Sequence, residues 1–179
     1  MANELPAFRY HSDPVATGSV SETSSPCPVC GRRRRWEYLG PVSTREEISG
    51  VCPWCVHSGL LAERFDATLV DVHGAPRSMP QALIEELKVR TPGFAGWQQE
   101  RWLFHCDDAC DFLGPIGAEE LARLDPPARQ AVDAAVAEWL GSTDGVASVA
   151  GALSKETGPT AYLFACLGCG AHQAYIDST

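Results

Sequence analysis

Cys27-Pro28-Val29-Cys30-Gly31 and, after an interval of 21 residues, Cys52-Pro53-Trp54-Cys55 are the stretches that organise the first part of the chain. Two Cys-x-x-Cys pairs facing one another supply the four thiolates that a tetrahedral metal ion requires. Gly31 follows the second ligand, where a backbone turning around sulfur gains from having no β-carbon. The second pair runs straight into Val56, Leu60, Leu61 and Phe65, an apolar stripe at helical spacing. The start of such a helix offers unbonded amides and partial positive charge to anionic sulfur. Between the pairs, Arg34 to Leu39 and Pro41 to Ser43 read as two short strands turned at Gly40-Pro41. A knuckle, a hairpin and a ligand pair at a helix start make the layout of a treble-clef zinc module. A piece of ~40 residues buries too little apolar surface to stand without its ion.

The remaining cysteines repeat the theme with a gap. Tyr162-Leu163-Phe164-Ala165, Cys166-Leu167-Gly168-Cys169-Gly170 and His172 to Ile176 read as a knuckle flanked by two strands, half of a zinc ribbon. Its other half must come from Cys106-Asp107-Asp108-Ala109-Cys110, which follows an aromatic run through Phe94, Trp97, Trp102, Leu103 and Phe104. The expected second site is therefore Cys106, Cys110, Cys166 and Cys169, closed across a long loop. His105 competes for a place in it. Neighbouring residues of a strand point to opposite faces, so only one of His105 and Cys106 should reach the ion, and Cys106 is the expected ligand.

The chain has 179 residues, 45% of them hydrophobic and 21% charged, which suits a folded protein with a real core rather than a disordered one. Residues 1–26, with Pro6, Pro14, Gly18, Pro26 and Ser19 to Ser25, read as an extended arm anchored by Phe8 and Tyr10. Residues 27–75 form the treble-clef-like module, and residues 76–179 a helical and strand module closed by the second site. The two are expected to pack as one α+β domain. Ser78-Met79-Pro80-Gln81 marks a helix start, with Leu83, Ile84 and Leu87 as its buried stripe and Thr91-Pro92-Gly93 as its stop. Ala118 to Leu124 is a short helix. Asp125-Pro126-Pro127 opens a longer one that buries Ala128, Val132, Ala135, Val136 and Trp139 and ends at Gly141, and Val146 to Leu153 is a weaker one. No apolar run approaches the ~20 residues of a membrane span, and MANELPAFRYHSD lacks a basic-then-apolar leader. A cytoplasmic location is expected, where cysteines serve metals more often than disulfides.

Charge is placed unevenly. Residues 1–60 hold six Lys/Arg and six Asp/Glu, so the net charge of −9 belongs to the rest of the chain. Such a field favours basic partners and disfavours phosphate backbones. The exception is Arg32-Arg33-Arg34-Arg35 with Trp36, a short basic-aromatic patch.

The order of these signatures resembles the CbrC family of bacterial proteins. The matching stretches are Phe8 to Val20 (FRYHSDPVATGSV), Cys27 to Gly31, Cys52 to Cys55, Thr91 to Gly114 (TPGFAGWQQERWLFHCDDACDFLG) and Tyr162 to Gly170 (YLFACLGCG). The family's name is tied to colicin tolerance, so the resemblance implies a link to toxin defence or envelope stress and no defined activity.

Four thiolates close a tetrahedron and blunt the ion as a Lewis acid, so two structural zinc ions are expected rather than a catalytic one. Four-sulfur sets also suit iron, which ranks behind zinc because the flanking elements read as zinc knuckles. The expected function is a non-catalytic zinc-binding protein whose acidic surface meets a basic protein. Two alternatives are a zinc-dependent hydrolase with an open site near His105, Asp107 and Asp108, and nucleic-acid binding through Arg32 to Arg35.

Overall fold

The Ser/Thr-rich stretch ahead of the first cysteine pair, expected as part of an extended arm, contains a short strand. In the computed structural model, which describes residues 4–178, Val20–Glu22 (β1) pairs antiparallel with Trp36–Tyr38 (β2), Val20 opposite Tyr38 and Glu22 opposite Trp36. The Leu39 amide donates to the Ser19 carbonyl and the Thr23 amide to the Arg35 carbonyl, continuing the ladder at both ends. The hairpin expected between 34–39 and 41–43 is therefore replaced. Tyr38 bridges to Val51 on its other side, and Ser43 bridges to Thr68. The Tyr38 ring folds over Gly40, where a β-carbon would come within 2.4 Å of its hydroxyl, and donates to the Pro41 carbonyl at 2.8 Å.

Phe8 and Tyr10 are buried, as expected for anchors, and His11 is fully buried beside them. The helix expected from Val56 to Phe65 is two helices, Pro53–His57 (α1) and Leu60–Phe65 (α2), because Gly59 adopts φ 78° between them. Gln81–Arg90 (α3) begins two residues later than the Ser78 signal suggests, and of its apolar stripe only Leu87 is fully buried.

The chain divides into two units. One runs up to Ala95 and includes Glu100–Trp102; the other comprises Gly96–Gln99 and everything from Leu103 onward. Residues 76–95, expected with the second module, thus belong to the first. The Leu69 amide donates to the Lys88 carbonyl at 2.9 Å, and Gly93 passes so close to the Leu69 carbonyl that a β-carbon would lie 2.4 Å from it.

The second unit is a four-stranded antiparallel sheet of Phe104–His105 (β3), Asp108–Ile116 (β4), Thr160–Cys166 (β5) and His172–Asp177 (β6), in that order across the sheet. A bulge between Phe112 and Gly114 shifts the β4–β5 register. Strand alternation sends Ala161 and Leu163 to one face, where they pack with Leu121, Val132 and Val136 from the helices Ala118–Leu121 (α4) and Pro126–Leu140 (α5). Val146–Ala150 (α6) adds Ala150 to the same core. The α5 N-terminus is capped as the sequence indicates, with Asp125 Oδ1 accepting the Ala128 amide at 2.9 Å. Its buried stripe stops one turn short: Trp139, expected inside, is 47% exposed. The opposite sheet face carries Phe112, Tyr162, Phe164 and Tyr175, with Phe112 and Phe164 ring centres 5.0 Å apart. Among the described residues no helix is long and apolar enough to cross a membrane.

Candidate metal centres

Both Cys-x-x-Cys-Gly sequences fold into the same turn. In the first, the Cys27 amide donates to the Arg32 carbonyl at 3.0 Å and the Gly31 amide to the Cys27 carbonyl at 2.8 Å. In the second, the Cys166 amide donates to the Ala171 carbonyl at 2.8 Å and the Gly170 amide to the Cys166 carbonyl at 2.9 Å. Gly31 and Gly170 close these turns at φ 70° and 73°, where a side chain would be strained. Each turn leaves its two sulfurs on one side and needs a second pair of donors.

For the first cluster that pair comes from α1. Cys52 is its N-cap, Cys55 lies in its first turn, and the Cys52 amide donates to Cys27 Sγ at 3.3 Å. The sulfurs of Cys27 and Cys55 are 3.8 Å apart, those of Cys30 and Cys52 3.9 Å, and those of Cys52 and Cys55 3.6 Å. A tetrahedral ion with metal–sulfur bonds of about 2.3 Å requires sulfur–sulfur edges of about 3.8 Å. A disulfide requires about 2 Å, and all eight cysteines are thiols. The donor set fits a metal. Cys27, Cys52 and Cys55 are buried and Cys30 is half-buried.

For the second cluster the partner is the β3–β4 hairpin, and here the expected ligand set needs correction. The donor atoms that lie within 4.8 Å of one another are those of His105, Cys106, Cys166 and Cys169. His105 Nδ1 is 3.2 Å from Cys106 Sγ and 3.4 Å from Cys169 Sγ. Metal–nitrogen bonds of about 2.0 Å with metal–sulfur bonds of about 2.3 Å give edges of about 3.5 Å, so this set also fits. Cys110 is outside it. Its side chain is fully buried on β4, with the thiol donating to Gln173 Oε1 at 3.7 Å.

The alternation argument for choosing between His105 and Cys106 fails because Cys106 is not in a strand. His105 pairs with Asp108, leaving Cys106 and Asp107 as a two-residue turn with φ 51° and 59°. Both residues are left-handed, as the tight turn of a hairpin demands, so His105 and Cys106 can converge on one point. Asp107 and Asp108 shape this turn, Asp108 Oδ1 accepting the Ala109 amide at 2.8 Å. The signal was present in the sequence: Cys106 and Cys110 have three residues between them where both knuckles have two, and His-Cys-Asp-Asp reads as a hairpin tip.

Without an ion, charge is shared unequally in each cluster. The hydrogen bond from Cys52 holds the Cys27 thiol down at about 4, while the same contact, with burial, pushes Cys52 up and burial pushes Cys55 up to about 12. Burial acts to raise Cys166, but amide hydrogen bonds from Cys169 and Gly168 and a contact from His105 hold it at about 6. Cys106 is pushed up to about 11 by its contacts with Cys169 and Cys166. Each cluster therefore pairs a thiol held down, Cys27 or Cys166, with thiols pushed up, Cys52 and Cys55 or Cys106, which lose their protons on ligating a divalent cation. Burial pushes Cys110 up to about 12, in keeping with a thiol outside the ligand set.

One family covers nearly the whole chain. Residues 5–178 match the model of a family described as an uncharacterised protein family, UPF0167. The chain belongs to the UPF0167 family. It is 46% identical to a UPF0167 protein of Mycobacterium bovis and to one of Mycobacterium tuberculosis, in each case over 97% of this chain and 94% of the relative. It is 36% identical to a UPF0167 protein of Pseudomonas aeruginosa, over 97% of this chain and 96% of that one. No solved structure matches the chain.

The basic patch of this UPF0167 chain is engaged locally. Arg33 donates to the Ser24 carbonyl at 2.8 Å, Arg35 pairs with Glu22 at 2.5 Å, and the Arg34 guanidinium lies 4.3 Å from the centre of the Trp54 ring. Arg34 and Trp54 thereby brace the two limbs of the first cluster.

Proposed function

We propose that this UPF0167 protein is a non-catalytic scaffold held by two structural zinc ions, one in each unit, whose second unit receives a basic protein. The observation that carries the reading is that each cluster brings four protein donors within 4.8 Å of one another. Four protein ligands complete the shell of a structural zinc, whereas a catalytic zinc keeps a position for water. One set is all cysteine and the other is three cysteines with a histidine, and their knuckle turns favour zinc over iron.

Charge placement supports the choice of partner. The second unit, from Leu103 onward, carries eleven Asp/Glu against three Lys/Arg, while the first is nearly balanced. The three cations are also spoken for. Arg123 lies 4.0 Å from Glu119, Lys155 lies 2.5 Å from Glu120, and Arg129 donates to the Leu121 carbonyl. Asp107, Asp125, Glu138 and Asp144 of the same unit are exposed, and a net acidic unit attracts a cationic surface. The resemblance to the CbrC family suggests the basic nuclease domain of a toxin as one such partner.

Metal content and absorption spectra of the purified chain test the first half: two colourless equivalents are expected, and a coloured iron protein would overturn it. Capture with basic proteins at low salt tests the second. Reversal of Asp107, Asp125, Glu138 and Asp144 to Lys should abolish capture, and retention by that variant would refute the acidic surface as the docking face.

A further inference from the structure

The second cluster has one more sulfur-bearing neighbour, which the ligand set leaves out. Cys110 and Cys166 sit directly opposite one another on β4 and β5. Neither donates its amide to the other: the Cys110 amide bonds the Leu103 carbonyl at 3.0 Å, and the Cys166 amide bonds the Ala171 carbonyl at 2.8 Å. They therefore occupy a non-hydrogen-bonded site of the antiparallel ladder. At such a site the α-carbons come within about 4.5 Å and both side chains rise on the same face. That spacing is at the short end of the range a disulfide spans, about 4.4–6.8 Å, so a bond formed there is strained and readily reduced. Cys166 is at the same time a member of the metal cluster, whose other sulfurs, on Cys106 and Cys169, are exposed. Solvent thus reaches the cluster from one side while Cys110 lies buried on the other.

The geometry points to Cys110 and Cys166 as a reversible oxidative modification site that ejects the second metal ion. It rests on the reading that Cys166 holds that ion, and it adds a role for the cysteine that holds none. With a small peroxide as oxidant, the Cys166 thiolate attacks one peroxide oxygen. The O–O bond breaks, hydroxide leaves, and Cys166 becomes a sulfenic acid that no longer ligates. The Cys110 sulfur then attacks Cys166 Sγ, the S–O bond breaks, and the departing hydroxide takes the Cys110 proton away as water. Two electrons have passed from the sulfurs to the peroxide. The cluster is left with His105, Cys106 and Cys169, three donors where four closed the shell, and the ion departs. The first cluster, whose four cysteines are all committed as ligands and mostly buried, keeps its own.

The test uses the full chain loaded with zinc at both sites and treated with stoichiometric hydrogen peroxide. Released zinc is read with a metallochromic dye, and thiol pairing by peptide mass mapping. A Cys110–Cys166 linkage with loss of one ion in two, both reversed by dithiothreitol and added zinc, is the expected result. The Cys110→Ser chain should bind two ions and release none reversibly under the same treatment. Linkages confined to Cys106, Cys166 and Cys169 in the wild-type chain would overturn the proposal and leave the metal reading standing. A Cys110→Ser chain that binds only one ion would overturn it by making Cys110 a ligand, and an untreated wild-type chain without a second ion would sink the metal reading itself.

Discussion

Acidification should weaken the first unit through His11. Its ring is fully buried, and its two nitrogens are engaged by the Pro92 carbonyl at 2.7 Å and Thr17 Oγ1 at 2.6 Å. A carbonyl only accepts, so Nδ1 carries the hydrogen and Nε2 accepts from the threonine hydroxyl. That is the neutral ring with both nitrogens satisfied. Burial lowers the pKa from the usual 6.5 to about 4, against the opposing pull of the Pro92 carbonyl and Asp13. Folded His11 stays neutral until the pH nears 4, whereas in the unfolded chain it takes up a proton near 6.5. Between those values the unfolded state binds more protons, so stability falls as the pH falls. The loss is about 2 kcal/mol from pH 7 to pH 5, and it levels off at about 3 kcal/mol once the pH is below the folded value. Denaturant unfolding at a series of pH values, comparing the wild-type chain with His11→Gln, isolates this contribution, because any acid-driven loss of metal is common to both. The wild-type curve should drop relative to the variant by that amount. Parallel curves between pH 7 and pH 5 would refute the argument.

Removing His105 tests the corrected ligand set. A structural zinc binds with about 12 kcal/mol shared among four ligands, so His105→Ala should weaken the second ion by about 3 kcal/mol, roughly 100-fold in a chelator competition, with the first ion unchanged. Gly93→Ala places a β-carbon 2.4 Å from the Leu69 carbonyl, a backbone atom that cannot swing aside, and should cost about 2 kcal/mol or more, read as a lower melting temperature. Asp125→Ala removes the acceptor for the Ala128 amide and should cost about 1 kcal/mol in denaturant unfolding.

Where chemistry is local, the sequence was a good guide. The two Cys-x-x-Cys-Gly knuckles, the Asp125 cap, the Gly141 stop and the stripe of Ala128, Val132, Ala135 and Val136 each depend on residues within a turn or two of one another. What it concealed depends on partners distant in the chain or on a single backbone angle. Val20–Glu22 has no alternating pattern to announce a strand and pairs only because Trp36–Tyr38 is presented to it. Gly59 split a helix that apolar spacing alone would have continued. The choice between His105 and Cys106 hinged on whether Cys106 sits in a strand or at the tip of a turn. Spacing hinted at that answer, and only the φ angles of Cys106 and Asp107 deliver it.

The stretch from Phe8 to Glu22 has a practical corollary for anyone wishing to excise the first cysteine cluster as a cassette. Cutting just upstream of Cys27 would strip Tyr38 of the strand beside it and take away the histidine that ties the chain to Pro92. The ion would then be asked to hold a fragment whose lining had been left behind. The portable unit, if there is one, begins well before its first sulfur.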